Sequence, residues 1–287
     1  MANGLDHVVH AVRDLDAAAH LYRRLGFTTG ARNRHPWGTH NVLVQLPGFF
    51  IEMLTVAEPE KLGDDGFSRL FGGYNQSFLE RGEGPSLLIL ESQDASADAA
   101  VFAAGGIAVG EAMRFDREGK RPDGSAVRVG FSLAFAEDRA APWIHFATCQ
   151  QHHPENFWNP EFQHHANSAT GIAGVVIVAT DPAAHRDFLA AFTGRDVRDG
   201  DAGLVVDTAR GTINVMTPSA FTADYAVAAP AVDAGARLAA LRFAVTDIAA
   251  AEDALAAGEI EARVESDRLV IDAGTAMGAT VVFEEGR

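Results

Sequence analysis

The chain has one cysteine, Cys149, which rules out an intramolecular disulfide framework and any zinc site built from several thiolates. A reducing compartment is the expected setting, and a metal would have to be held by His and carboxylate. Positive charge is scarce as well: 23 Lys and Arg stand against 39 Asp and Glu, a formal net charge of −16. Nucleic-acid binding draws on clustered Lys and Arg that release counterions from phosphates, so no nucleic-acid partner is expected. No apolar run approaches the roughly 18 residues of a membrane span. The N-terminus enters the patterned segment Leu5 to Val12 without a basic region, a long apolar stretch or a small-residue cleavage site. A cytoplasmic protein with no membrane partner is the expectation. What is present is a globular composition, 47% hydrophobic and 22% charged, in 287 residues. At that length single cores give way to two compact units.

One phrase recurs four times: a short apolar run, an Asp, an Ala-rich stretch of helical character, and a Gly that opens the next extended run. The runs begin at His7-Val8-Val9, Leu87-Leu88-Ile89, Val175-Val176-Ile177 and Leu241-Arg242-Phe243. The Asp residues are Asp14, Asp94, Asp181 and Asp247, and the Gly residues Gly26, Gly106, Gly194 and Gly258. Each Asp is placed to cap a helix, its carboxylate accepting from an orphan N–H at the positive end of the dipole. Each Gly suits the left-handed position just past a helix end. Extended segments follow: Asn41 to Leu46 and Phe49 to Val56 around Pro47-Gly48, then Val127 to Phe135 and Trp143 to Cys149 with a Pro122-Asp123-Gly124 turn. In the third and fourth copies they are Gly203 to Asp207, Thr212 to Met216, Arg268 to Ile271 and Thr280 to Phe283. Each unit reads as strand, helix, then two or three strands. The expected division is an N-terminal domain over 1–150, a His-, Asn- and Pro-containing linker over 151–170, and a C-terminal domain over 171–287.

The opening Leu5-Asp6-His7-Val8-Val9, followed by Asp14-Leu15 and Leu25-Gly26-Phe27, resembles the first strand and helix of the vicinal oxygen chelate superfamily. Arg34-His35-Pro36-Trp37-Gly38-Thr39-His40-Asn41, and Arg121-Pro122-Asp123-Gly124 ahead of Pro142-Trp143-Ile144, resemble its glyoxalase-like members. The resemblance covers residues 5 to about 150. It implies an α+β fold of tandem βαβββ modules, four copies in all, of the glyoxalase/bleomycin resistance/dihydroxybiphenyl dioxygenase kind. In that superfamily paired modules curve around a cavity, and metal ligands come from the first and last strands of each module. Carried onto this chain, those positions are His7, Glu52, Ser86 and His145. Ser86 stands where metal-binding members usually carry His, and His145 where many carry Glu. The implied centre is therefore a divalent ion, Fe, Mn or Zn, on His7, Glu52 and His145, or no metal at all.

The residues can be read without the resemblance. In a strand, side chains alternate faces. Glu52 shares a face with Phe50 and Leu54 in an otherwise apolar run, where a carboxylate is costly unless paired, hydrogen-bonded or bound to metal. His145 is similarly embedded and shares parity with Cys149; His7 goes with Leu5 and Val9, and His10 points to the opposite face. A buried Glu–His pair satisfying itself is the plainer alternative. Between Arg34 and Asn41, the side chains of His35, Thr39, His40 and Asn41 offer donors and acceptors for a polar, oxygenated substrate, or make an ordinary turn. The hairpin cations Arg114, Arg117, Lys120, Arg121 and Arg128 either attract a carboxylate or form a solvated face. The adjacent pairs His152-His153 and His164-His165 read as solvated linker, and Cys149 as an inert buried thiol.

The expected function is that of a metal-dependent enzyme with Glu52 as its catalytic residue, chelating neighbouring oxygens of a small metabolite. Isomerase or lyase chemistry and ring-cleaving dioxygenation both remain open. The alternative is a metal-free protein that sequesters a small molecule in the same cavity. A small-molecule partner is expected in either case, and a homodimer is compatible with both.

Overall fold

The computed structural model describes residues 4–120 and 125–286, the side chain of Lys120 excepted. The turn Arg121-Pro122-Asp123-Gly124 lies outside the described residues. The strands of the N-terminal half are β1 (Leu5–Ala11), β2 (Asn33–Arg34), β3 (Thr39–Leu46), β4 (Phe49–Val56), β5 (Gly84–Ser92), β6 (Met113–Lys120), β7 (Ala126–Ala136) and β8 (His145–Gln151). Those of the C-terminal half are β9 (Ala169–Val178), β10 (Val197–Gly200), β11 (Gly203–Asp207), β12 (Thr212–Met216), β13 (Arg237–Val245), β14 (Arg263–Glu265), β15 (Arg268–Ile271) and β16 (Thr280–Glu285). Each half is one 8-stranded sheet, ordered β2-β3-β4-β1-β5-β8-β7-β6 and β10-β11-β12-β9-β13-β16-β15-β14. In both, the two central strands run antiparallel and each pairs in parallel with the last strand of its own module. The chain is thus four βαβββ modules in tandem.

The helices are α1 (Leu15–Arg24), α2 (Tyr74–Arg81), α3 (Ala95–Ala104), α4 (Pro154–Phe157), α5 (Arg186–Thr193), α6 (Pro218–Tyr225) and α7 (Ile248–Ala257). Asp14, Asp94 and Asp247 accept from the first backbone N–H groups of α1, α3 and α7, and Asp181 caps the 3-10 turn that leads into α5. Gly26, Gly106 and Gly194 have φ of 86, 69 and 64°, the left-handed turn expected of them. Gly258 departs from the expectation. Its φ is −80° and the left-handed residue is Glu259, at 54°. Glycine is needed at 258 for proximity, since a Cβ there would stand 2.0 Å from the Arg24 carbonyl oxygen. Arg24 in turn donates to the carbonyls of Gly258 and Glu259 at 2.6 and 2.8 Å, which fastens α1 of one half to α7 of the other.

Alternation divides each sheet into two faces. Val8, Leu88 and Leu90 of the first sheet, and Leu241, Phe243 and Val245 of the second, belong to one apolar core that also takes in α1, α3, α5 and α7. Phe27 packs on Phe243 and Phe283, and Phe146 on Phe188 and Phe192, so this core runs through both halves. The opposite face of the second sheet is covered by Phe221 and Tyr225 of α6. On the first sheet it is covered only in part, by a π-helical turn, Ser68–Gly73, that runs into α2.

Two local expectations change. The strand expected from Trp143 begins at His145, because residues 138–144 form a turn in which Ala141 N–H bonds to the Asp138 carbonyl and Ile144 N–H to that of Ala141. The segment between the halves is an ordered strap. Phe157 in α4 packs on Phe50 and Phe131, and His165 accepts from the Thr28 N–H and donates to the Gln45 carbonyl. No helix among the described residues is long and apolar enough to cross a membrane.

Candidate functional site

The uncovered part of the first sheet's open face forms a chamber of about 590 Å³, counting its mouth. Its polar wall comes from strand residues of one parity: His7 on β1, Asn41 on β3, Glu52 on β4, Arg117 on β6 and Cys149 on β8. Aromatic side chains supply most of the rest, with Trp37, Phe67, Phe71 and Phe115 at one end and Phe50, Phe131 and Phe157 at the other.

Asp6 would face away from the chamber in a regular strand. A β-bulge between Leu5 and His7 turns it toward His7, and Asp6 Oδ2 lies 2.6 Å from His7 Nδ1. Gln151 Nε2 donates to the other Asp6 oxygen at 3.2 Å, and the His7 ring stacks on Phe50 at 4.2 Å. The Asp6 bond holds the ring proton on Nδ1 and leaves Nε2 as the nitrogen available for chemistry.

Glu52 is buried. Its Oε1 accepts from Asn41 Nδ2 at 2.5 Å. Burial pushes its carboxyl above the usual range, against the opposing pull of His7, the Asn41 bond and Arg117. Asn41 is held in turn by Asn33, whose Nδ2 donates to Asn41 Oδ1 at 3.0 Å, and Arg117 donates to Asn33 Oδ1 at 3.4 Å. His35 stacks on Trp37 at 4.7 Å, and its Nδ1 meets the Thr39 hydroxyl at 2.8 Å. Burial first, then the charges of Arg117 and His40, lowers its pKa to about 3.

The structure thus gathers His7, Glu52, His35 and Asn41 around one space. Thr39 acts behind His35, and His40 turns away to Glu58 at 3.1 Å. His145 and Ser86 lie outside the chamber wall, where both fasten its cover. His145 stacks on Tyr74 at 3.7 Å and meets the Leu70 carbonyl at 3.1 Å; Ser86 donates to Asn75 Oδ1 at 2.7 Å. The expected trio His7, Glu52 and His145 is not brought together around the chamber. Asp6, Arg117, Cys149 and Phe157 join the site instead. Parity with His145 marked Cys149, and the basic hairpin contained Arg117, but a bulge and a folded strap leave little trace in sequence.

Strand register tests the metal centre that the superfamily implies. Val8 faces Leu88 across the central seam, so the twofold relation between modules makes Leu87 the counterpart of His7. Val9 lies beside Glu52 and Ile89 beside Ala147, which makes Ala147 the counterpart of Glu52. Two of the four positions are therefore apolar, and a four-ligand centre does not fit these residues. In the second sheet the same relation, centred on Val175 and Leu241, gives Gly174, Asn214, Ala240 and Val282, none of them His or carboxylate. Carboxylate is present near that face nonetheless: Glu284 of β16 is ion-paired with Arg242 at 2.6 Å. A different group in the chamber is able to hold a metal ion, since ligand atoms of Asp6, His7 and Cys149 lie within 4.8 Å of one another. Burial, with the nearby Asp6 and Glu52, pushes the Cys149 thiol well up, so only a cation there would draw the thiolate out.

Comparison with known proteins agrees with this architecture. Residues 5–193 match the family model described as a glyoxalase-like domain. A hypothetical protein from Staphylococcus aureus superposes with a TM-score of 0.69 at 12% identity, over 99% of this chain and 100% of its own. A triple mutant of 4-hydroxymandelate synthase from Streptomyces coelicolor superposes with a TM-score of 0.61 at 12% identity, over 100% of this chain and 94% of its own. At such identity the likeness is one of fold. Among curated protein sequences no match was found.

Proposed function

The chain belongs to the glyoxalase-like domain family of the vicinal oxygen chelate superfamily, and from that premise we propose that it is an enzyme moving a proton on a small oxygenated metabolite. The observation that carries this reading is the pairing of Glu52 and His7 in one chamber, each held by its own partner. Asn41 fixes one Glu52 oxygen and leaves the other for substrate; Asp6 fixes His7 Nδ1 and leaves Nε2. A buried carboxylate with a raised pKa is a strong base for a carbon acid, and a second proton carrier across the substrate can return the proton elsewhere. Glu52 takes a proton from the carbon beside a carbonyl, and His7 Nε2, unprotonated while Asp6 holds Nδ1–H, takes the proton of the neighbouring hydroxyl and returns it to the former carbonyl oxygen. The outcome is isomerisation, or elimination where a leaving group adjoins that carbon. The aromatic walls and the π-helical cover exclude water and favour transfer between fixed groups.

The test is hydrogen exchange. In D2O, the full chain is incubated with a panel of 2-oxo acids and hydroxyketones, aryl and alkyl, and loss of the α-proton is followed by NMR. Wild type is expected to accelerate exchange on at least one, with Glu52→Gln slower by about a hundredfold or more. No exchange on any member would overturn the enzyme and leave a protein that only binds its ligand.

A second reading is favoured by the Asp6, His7 and Cys149 group. Nitrogen, oxygen and sulfur donors together suit a borderline ion such as zinc or iron(II) better than magnesium or calcium. Held there, such an ion would supply Lewis-acid polarisation of a substrate oxygen.

A further inference from the structure

Among the described residues Arg117 is the one guanidinium lining the chamber, and no described carboxylate pairs with it. The other described cations of its hairpin are matched: Arg114 and Arg128 both hold Asp116, at 2.7 and 3.2 Å. Among the described residues Arg117 has only the long bond to Asn33, and it is half-buried. Glu52, the acid nearest to it electrostatically, makes no contact and gives its hydrogen bond to Asn41. An inward-facing guanidinium among aromatic rings is costly to leave unpaired.

Its position is as informative as its charge. Asn33, Leu43, Arg117 and Phe157 line both the inner chamber and a wider groove outside it, so the guanidinium stands at the gate between the two. Beyond the gate lie Phe50, stacked on His7, and Trp37 with Phe115, ring centroids 4.8 Å apart. The Trp37 indole N–H is a further donor without an acceptor among the described residues.

We propose that the ligand of this chamber is a ring-bearing carboxylate, its planar ring among the inner aromatic side chains and its carboxylate on Arg117 and Asn33 at the gate. This rests on the chamber being the substrate site described above and names the class of molecule that enters it. Aromatic walls reward a flat ring through stacked and edge contacts. A single guanidinium flanked by one amide matches the planar, singly charged carboxylate, whereas a phosphate dianion would keep one charge unmatched, because no other Lys or Arg among the described residues lines the chamber.

Isothermal titration of the full chain with phenylacetate, its neutral analogue 2-phenylethanol, acetate and phenyl phosphate tests this. Wild type should bind phenylacetate about tenfold or more tightly than 2-phenylethanol, and acetate not measurably. Arg117→Gln should abolish that preference while leaving 2-phenylethanol unchanged, and Arg114→Gln on the same hairpin should preserve it. Equal binding of the two analogues to wild type, a preference that survives Arg117→Gln, tighter binding of phenyl phosphate, or no binding by any aromatic probe would each overturn the proposal. Failure of the enzyme reading is distinguishable: phenylacetate held through Arg117, with proton exchange absent on every carbon acid, removes the catalyst and keeps the carboxylate site.

Discussion

Asn41 Nδ2 donates to Glu52 Oε1 across 2.5 Å, diagonally between antiparallel strands in which Asn41 stands opposite Leu54 and Glu52 opposite Leu43. The bond fixes one oxygen of a buried acid whose pKa is raised by burial and pulled back by His7, by Asn41 itself and by Arg117. Glu52→Gln should therefore slow proton exchange by about 10²- to 10⁴-fold while the fold persists. Its unfolding temperature near neutral pH should hold or rise, because a neutral amide replaces a buried charge and still accepts from Asn41. A carboxyl with a raised folded-state pKa favours folding below its ordinary value of 4.5, and that contribution disappears as pH climbs through the folded value. Glu52→Gln should flatten this limb of the stability profile. Asn41→Leu, which removes a lowering influence, should move the acidic limb of the exchange-rate profile to higher pH.

Two histidines report on acid stability in the opposite sense. Burial lowers His35 to about 3 and His145 to about 4, from an ordinary 6.5. Both are neutral in the folded chain, whereas the unfolded chain takes up protons below 6.5, so stability is complete above that value and declines as pH falls toward 4 and then 3. Thermal unfolding followed from pH 7 to 4 should show a steady fall. His145→Gln keeps a donor for the Leu70 carbonyl without a titrating ring, and its decline should be shallower. An unchanged slope would mean that His145 already carries its proton in the folded state.

Much of the fold was legible because it rests on local rules repeated four times. Asp14, Asp94, Asp181 and Asp247 announce helix starts, and the strands Gly203–Asp207, Thr212–Met216 and Arg268–Ile271 coincide with their apolar runs. The chamber was legible in part. His7, Glu52, His35 and Asn41 carry it on strand parity and loop chemistry. What parity cannot report is which part of an open face a neighbouring segment covers. His145 and Cys149 share a face of β8, yet the π-helical turn and Tyr74 close over the first and leave the second in the chamber. Asp6 was missed because a bulge suspends parity, and Phe157 because a strap rich in polar residues can still insert one ring.

The two halves also meet through a polar contact: Asp138 of the β7–β8 turn and His185 ahead of α5, both buried, lie 2.6 Å apart. Asp138→Ala strips a buried imidazole of its acceptor and should lower the unfolding free energy by about 2–3 kcal/mol. Asp138→Asn, which can still accept, should cost less. Because this contact lies away from the chamber, phenylacetate titration of both variants should match wild type. A stability cost near zero for Asp138→Ala would show the contact to be incidental to how the halves are held.

The group of Asp6, His7 and Cys149 yields a prediction that separates the two readings of the site. Burial and the neighbouring carboxylates keep the Cys149 thiol protonated in the absence of a cation, so a metal binding there must expel that proton. On the metal-dependent reading, Co²⁺ titration of the untagged chain should give a thiolate-to-cobalt charge-transfer band and release about one proton per ion, with affinity rising with pH. Cys149→Ser should abolish the band, and His7→Ala should abolish binding. Asp6→Asn should weaken it by more than the roughly 10- to 100-fold cost of losing a carboxylate that orients a ligating histidine, because it also takes the anionic oxygen out of the donor set. On the proton-transfer reading Cys149 is a chamber wall and nothing more: Cys149→Ser then leaves hydrogen exchange within about twofold of wild type, because serine keeps nearly the same volume and no step uses the sulfur. Asp6→Asn is costly on either reading, since His7 needs Asp6 to hold its tautomer whether Nε2 meets a metal or a substrate oxygen. The Cys149→Ser variant, read by cobalt absorption and by proton exchange in parallel, is therefore the decisive one.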